Sequence, residues 1–193
     1  RRALAFVTSA FSPYSGCRQY LDDIERARQE VGAGAPPVDK LRAFFNHPRF
    51  IAANADHVRA GLAGLGPDAR LVFTAHSIPL AMASECAYES QLREAGGLVA
   101  AAVGHPAWDL VYQSRSGPPS QPWLSPDVLA HLDALAREGV REVVVCPIGF
   151  VSDHLEVLYD LGTEAQDRAR GLGLRLVRTP TASNHPAYRV MVR

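Results

Sequence analysis

Four short apolar runs, at 70–75, 108–113, 142–150 and 174–178, are separated by longer stretches whose apolar residues recur at helical spacing. Strand-length runs that alternate with helix-length stretches are the pattern of a parallel α/β sheet with crossover helices. Helices are expected at 84–103, 126–137 and 155–170. A last one begins at 184 with Asn184 or Ser183 as its cap. Gly96-Gly97 is a weak point inside the first of these, and Pro147 interrupts the third strand.

The preceding residues are patterned differently. Residues 3–9 read as a buried strand and 18–30 as an exposed helix ended by Gly32 and Gly34. Pro36-Pro37 is a break, Leu41, Phe44 and Phe45 begin a short helical face, and 50–65 is a further helix. A single strand does not make a stable sheet. The expectation is therefore a first domain over 1–67, truncated on its N-terminal side, a second domain over 68–180, and the start of a C-terminal helix at 181–193. Gly66-Pro67 marks the boundary. The chain is expected to be a piece of a longer protein, since it has no initiator Met and stops in mid-pattern.

Charge narrows the possible partners. Twenty basic and 20 acidic residues give a formal net charge of zero, so there is no global attraction for nucleic acid or anionic lipid. Lys40 is the only lysine, a compositional bias that needs no functional reading. Cys17, Cys86 and Cys146 form no CxxC pair and no disulfide framework, which fits a reducing, cytoplasmic setting. No apolar run approaches the roughly 18 residues of a membrane span, and no secretory leader pattern is visible.

In open α/β sheets, ligands sit beyond the carboxyl ends of the strands. Three such ends carry polar groups: His76-Ser77-Ile78-Pro79, Gln113-Ser114-Arg115-Ser116-Gly117-Pro118, and the segment 147–154 with Ser152-Asp153-His154. The His76 imidazole can accept a proton or bind a metal near neutral pH; a hydrogen-bonded structural histidine is the other reading. Glu156, Asp160 and Glu164 recur every fourth residue and share one helix face. A divalent cation would relieve their mutual repulsion, whereas a solvated acidic face would need none. Cys17, in the loop after the first strand, is open as nucleophile, metal ligand or incidental thiol. Cys146 reads as core, and Cys86 lies on a helix without an evident partner. Trp108 reads as core, while Trp123 either lines an apolar pocket or pins its Pro-rich loop. The other histidines have no mutual metal spacing.

Taken together, these segments resemble the ferrochelatase family. Residues 73–79 (FTAHSIP) resemble its histidine motif. Residues 112–118 (YQSRSGP) with Trp123-Leu124 resemble its central loop, and 147–160 (PIGFVSDHLEVLYD) resemble its SDHxETLYE signature. Val157 stands for the usual Thr and Asp160 for the usual Glu. Residues 14–20 (YSGCRQY) are similar to the actinobacterial branch. The resemblance implies a chelatase fold, two Rossmann-like parallel-sheet domains with a porphyrin cleft between them. It also implies insertion of Fe2+, as substrate, into a porphyrin in haem biosynthesis: coproporphyrin III to coproheme III, with protoporphyrin IX as the alternative. A non-catalytic haem- or metal-binding module on the same fold is a second alternative.

By position, His76 and Glu156 match the catalytic pair. Asp160 and Glu164 match the acidic metal path. Tyr20, Ser114, Arg115 and Trp123 are the expected porphyrin contacts. Cys17 matches the internal ligand of a [2Fe–2S] cluster expected only in the full-length protein. The iron donor is not legible.

Overall fold

The computed structural model describes residues 2–193; of residues 14–17 only the backbone is described. In chain order the elements are β1 (Ala3–Ala5), α1 (Tyr14–Val31), β2 (Val38–Lys40), α2 (Pro48–Leu62), β3 (Arg70–His76), α3 (Leu80–Ala83), α4 (Tyr88–Val103), β4 (Trp108–Gln113), α5 (Val128–Arg137), β5 (Glu142–Cys146), α6 (Leu155–Tyr159), a π-helical turn (Asp160–Glu164), α7 (Ala165–Gly171), β6 (Arg175–Arg178) and α8 (Pro186–Met191). Short 3-10 turns follow α1 and precede α8.

β3 to β6 form one parallel sheet in the order β4-β3-β5-β6. The apolar runs are nearly continuous because both faces of this sheet are covered. Leu71, Phe73 and Ala75 of β3 join Val144 and Cys146 of β5 in a core with Phe50, Val58 and Leu92, beneath α2, α4 and α8. Val72 and Val143 point the other way, into a core with Leu132, Val157, Leu161 and Ala165, beneath α5, α6 and α7. This two-residue alternation is the strand period. The Cys146 thiol is fully buried, and burial pushes its pKa up to about 12. Trp108 packs edge-on against Phe73, and both reach Gly96, where a Cβ would come within 3.1–3.2 Å of their rings. Gly96 is thus a packing residue in an unbroken α4, not a weak point.

Several expectations are corrected. The first sheet has two parallel strands, not one: Val38–Lys40 pairs with Ala3–Ala5. The first strand is short and not buried, with Leu4 69% exposed. Residues 41–45 form no helix. Leu41 donates to the Ala5 carbonyl and Phe44 to that of Ala10, so pairing with the preceding segment satisfies the backbone instead. Helix 84–103 starts only at Tyr88, leaving Cys86 in a turn, with α3 as a separate element before it. β5 ends at Cys146, since Pro147 has no N–H to donate. His185 caps the last helix, its Nδ1 accepting from the Ala187 N–H at 3.2 Å. Asn184 and Ser183 lie in the preceding 3-10 turn. His47 caps α2 in the same way, accepting from the Arg49 N–H at 3.2 Å. In both cases a proline follows at the first helical position, where its missing N–H costs nothing.

Helix 155–170 is also interrupted. In the π turn the Ala165 N–H reaches the Asp160 carbonyl, five residues back. In an α-helix, a four-residue step overshoots one full turn by about 40°. The wider π turn departs from that regular spacing between Asp160 and Glu164.

Candidate metal-handling site at the strand ends

The β3–β5 junction is the point where the strand order reverses, the usual place for a ligand crevice in such sheets. His76 ends β3 there. By alternation it points to the same side of the sheet as Val72, the side covered by α6 and the π turn. Its register partner on β4 is Gln113, which shares that side with Val111. Gln113 Nε2 donates to Asp160 Oδ2 at 3.2 Å, and Ser114 Oγ donates to the same oxygen. Ser114 and Asp160, both singled out from sequence, are thus in contact at the carboxyl ends of the strands, and His76 lies in register with the Gln113 that joins them. Glu156 and Glu164 lie four residues to either side of Asp160. Next to them on the helix runs the buried seam of Val157, Leu161 and Ala165. Asp160 is half-buried, and Glu156 and Glu164 are exposed.

The imidazole of His76 is fixed by its surroundings. Its Nδ1 lies 2.5 Å from the Ser77 carbonyl. A carbonyl only accepts, so Nδ1 carries the proton in the neutral ring and Nε2 keeps its lone pair. Ser77 is itself buried and tied on two sides. Its N–H donates to the Gln113 carbonyl at 2.8 Å and its Oγ to the Leu124 carbonyl at 2.8 Å. The Tyr88 hydroxyl donates to the His76 carbonyl at 3.1 Å. Burial holds the Tyr88 phenol well above its usual pKa, so it stays a donor.

The loop after β5 completes the edge. The Gly149 N–H donates to the Thr74 carbonyl at 3.0 Å, seating the loop on β3 beside His76. The Asp153 carboxylate takes both terminal nitrogens of Arg178, at 2.9 and 3.3 Å, which anchors the loop to β6. His154 Nδ1 lies 3.9 Å from Glu156 Oε2, and its ring stacks edge-on against Phe150. A cavity of about 610 Å³ opens between this loop, Phe6, Thr8 and Ser9 after β1, and Tyr188 of α8.

The remaining sequence candidates are placed as follows. Trp123 bridges to Pro79 as an isolated antiparallel pair, and Leu124 N–H donates to the Ile78 carbonyl at 2.9 Å. The Trp123 loop and the segment after His76 therefore form one unit. The indole Nε1 is buried without a partner among the described residues. Arg115 folds onto its own loop, donating to the carbonyls of Pro119 and Gln121. Tyr20 is 48% exposed and lines a cavity of about 430 Å³ that shares Thr8 and Ser9 with the larger one and adds Asp23. The Cys17 side chain lies outside the described residues. Among the described residues, no group of three or more His, Cys, Asp or Glu side chains is gathered to hold a metal ion.

Sequence reasoning gave no individual role to three residues here, Ser77, Gln113 and Gly149, although Ser77 and Gln113 lie in strand-end segments marked as polar. Each follows or ends a strand, so its position at a carboxyl end was the available signal.

Comparison with known proteins agrees with the residue-level resemblance. The model of the ferrochelatase family matches residues 1–193. A protein named ferrochelatase from Rhodopirellula baltica is 54% identical over 199 residues, covering 100% of this chain and 56% of its own length. A coproporphyrin III ferrochelatase from Mycobacterium marinum is 52% identical, covering 94% of this chain and 54% of its own length. One from Mycolicibacterium smegmatis is 50% identical, covering 100% and 58%. The chain spans about half the length of the curated relatives it matches.

Proposed function

We start from the fact that this chain belongs to the ferrochelatase family, and we propose that the complete protein inserts Fe2+ into coproporphyrin III to give coproheme III. The observation that supports this reading is that Gln113, the register partner of His76, bonds to the Asp160 carboxylate on the side of the sheet to which the His76 position alternates.

Metallation has two obstacles: two pyrrole protons must leave, and the iron must shed water. A macrocycle bound in a bent shape exposes its nitrogen lone pairs, and binding energy supports that distortion. His76 Nε2, with its lone pair free, takes a pyrrole proton or meets the metal. A base whose pKa is near neutrality suits proton removal. Glu156, one turn before Asp160, receives the proton or supports the imidazole. Glu164 and Asp160 offer oxygen ligands, which hold Fe2+ weakly enough to pass it on. Trp123, on the loop joined to the His76 segment, supplies an aromatic wall for the porphyrin, with Tyr20, Ser114 and Arg115 as further contacts. The resemblance alone supports the cytoplasm as the place of the reaction. Among the described residues no helix is long and apolar enough to cross a membrane.

The [2Fe–2S] cluster rests on Cys17 and the resemblance. Neither other cysteine of this chain fits it. Cys146 is a fully buried thiol whose pKa burial raises, and Cys86 points to the Ala83 carbonyl.

The test is an anaerobic Fe2+-insertion assay on the full-length protein. Coproporphyrin III is expected to give the higher kcat/KM. Preference for protoporphyrin IX would overturn the substrate assignment, and turnover with neither would overturn the reaction.

A further inference from the structure

Ser77 is 2% exposed, yet it carries a hydroxyl where an alanine would fill nearly the same volume. The bonds around it show what the hydroxyl adds. The Ser77 N–H donates to the Gln113 carbonyl at 2.8 Å, which extends the pairing of β3 with β4 by one residue. That N–H is therefore spent, and the side chain is the only donor Ser77 has left. Its Oγ donates to the Leu124 carbonyl at 2.8 Å, across 47 residues of chain.

The next peptide unit is held differently. It joins Ser77 to Ile78 and carries the carbonyl that lies 2.5 Å from His76 Nδ1. Among the described residues, neither that carbonyl nor the Ile78 N–H has a backbone partner. Pairing resumes one residue later, where the Ile78 carbonyl accepts from the Leu124 N–H at 2.9 Å and the Leu80 N–H donates to the Pro122 carbonyl at 3.0 Å. The unit that faces His76 is thus a gap between two paired stretches. Leu124 clasps it from both ends, with its N–H on the Ile78 carbonyl and its own carbonyl on the Ser77 hydroxyl. Without that hydroxyl the clasp has one arm.

The consequence falls on the imidazole. In water the neutral ring favours the form with its proton on Nε2, which leaves no lone pair on that atom. A carbonyl fixed at Nδ1 selects the other form. Resting on the role given to His76 above, we propose that Ser77 is a positioning residue for it. The Ser77 hydroxyl, through Leu124, aims the Ser77 carbonyl at Nδ1, and so keeps the Nε2 lone pair available in the neutral ring. The Trp123 loop does not depend on this hydroxyl, because two backbone bonds and the pairing of Trp123 with Pro79 already hold it. The effect therefore belongs to the chemical step and not to porphyrin binding.

The test uses the full-length protein and Ser77→Ala, with two readouts. Nitrogen NMR of protein carrying isotope-labelled histidine reads which ring nitrogen of His76 holds the proton, with the ring neutral at alkaline pH and the His76 signals identified by their loss in His76→Ala. Wild type is expected to show the proton on Nδ1, and Ser77→Ala a mixture rich in the Nε2 form. The second readout is Fe2+ insertion. Misplacing a reacting group by about 1 Å costs about 10²-fold, so kcat is expected to fall by about 10–100-fold with the porphyrin KM little changed. Ser77→Cys, which fills the site but is a weak donor, carries the same expectations if the alanine variant does not fold. A variant that keeps the proton on Nδ1 as in wild type overturns the proposal, as does a raised porphyrin KM with wild-type kcat. If wild-type protein metallates no porphyrin, or His76→Ala turns over like wild type, the reading beneath falls, and the NMR comparison still decides what Ser77 does to the ring.

Discussion

Replacing His76 by alanine is expected to lower metal insertion by the full-length protein by about 10²–10⁴-fold, the range typical of losing a positioned acid–base group. Geometry supports an effect of this size. The ring is held by its Nδ1 contact to the Ser77 carbonyl at 2.5 Å, and Ser77 is locked to β4 and to the Trp123 loop. Nε2 is therefore held in one orientation and not left as one conformer among many. The side chain is only half-buried at the end of β3, so its loss leaves the core intact. Steady-state turnover with matched thermal melting checks the prediction. A variant that melts like wild type and turns over within a few-fold of it would remove His76 from the reaction. His76→Gln, which can still donate to a carbonyl but supplies no base of suitable pKa, is expected to be as inactive as the alanine variant.

The second large effect is on stability. An alanine methyl at Gly149 would sit 2.5 Å from the Ala75 Cβ and 2.6 Å from its Cα, with the Thr74 carbonyl at 3.2 Å. Ala75 belongs to a fully buried central strand, and the Gly149 N–H is bonded to Thr74. Neither side can retreat without breaking that bond or opening the sheet. We expect Gly149→Ala to cost about 3 kcal/mol, the upper part of the overpacking range, read as a lower urea midpoint. Turnover should fall as well, because the displaced loop leads into α6 and Glu156. An unchanged midpoint would mean that the loop after β5 is not seated on β3.

The sequence was most legible where burial acts on both faces of an element. β3, β4 and β5 are nearly continuous apolar runs because Val72 and Phe73 face different cores. β2 was not legible: Val38-Asp39-Lys40 is three residues long and partly charged, and only pairing with β1 makes it a strand. Residues 41, 44 and 45 have helical spacing, yet Phe44 stacks on Phe6 and packs edge-on against Phe50, and tertiary contact overrode local pattern. The π turn has no compositional mark. At the site, the chemistry-bearing side chains stood out by type, whereas Gln113 did not. A neutral amide draws no attention until its register with His76 and its bond to Asp160 are seen. Gly149 likewise read as loop punctuation, and its close approach to Ala75 is a property of the packed fold.

In the mechanism proposed above, His76 and the carboxylates of the acid row act as one unit on the incoming metal and the porphyrin protons. The most direct measurement is a double-mutant cycle on the full-length protein with His76→Ala and Glu156→Gln, read as kcat for anaerobic Fe2+ insertion into coproporphyrin III. Residues that share one step are strongly non-additive. Each single variant is expected to be severely impaired, and the double variant to be about as slow as the worse single. Fully multiplicative losses, or a Glu156→Gln variant with wild-type turnover, would contradict it.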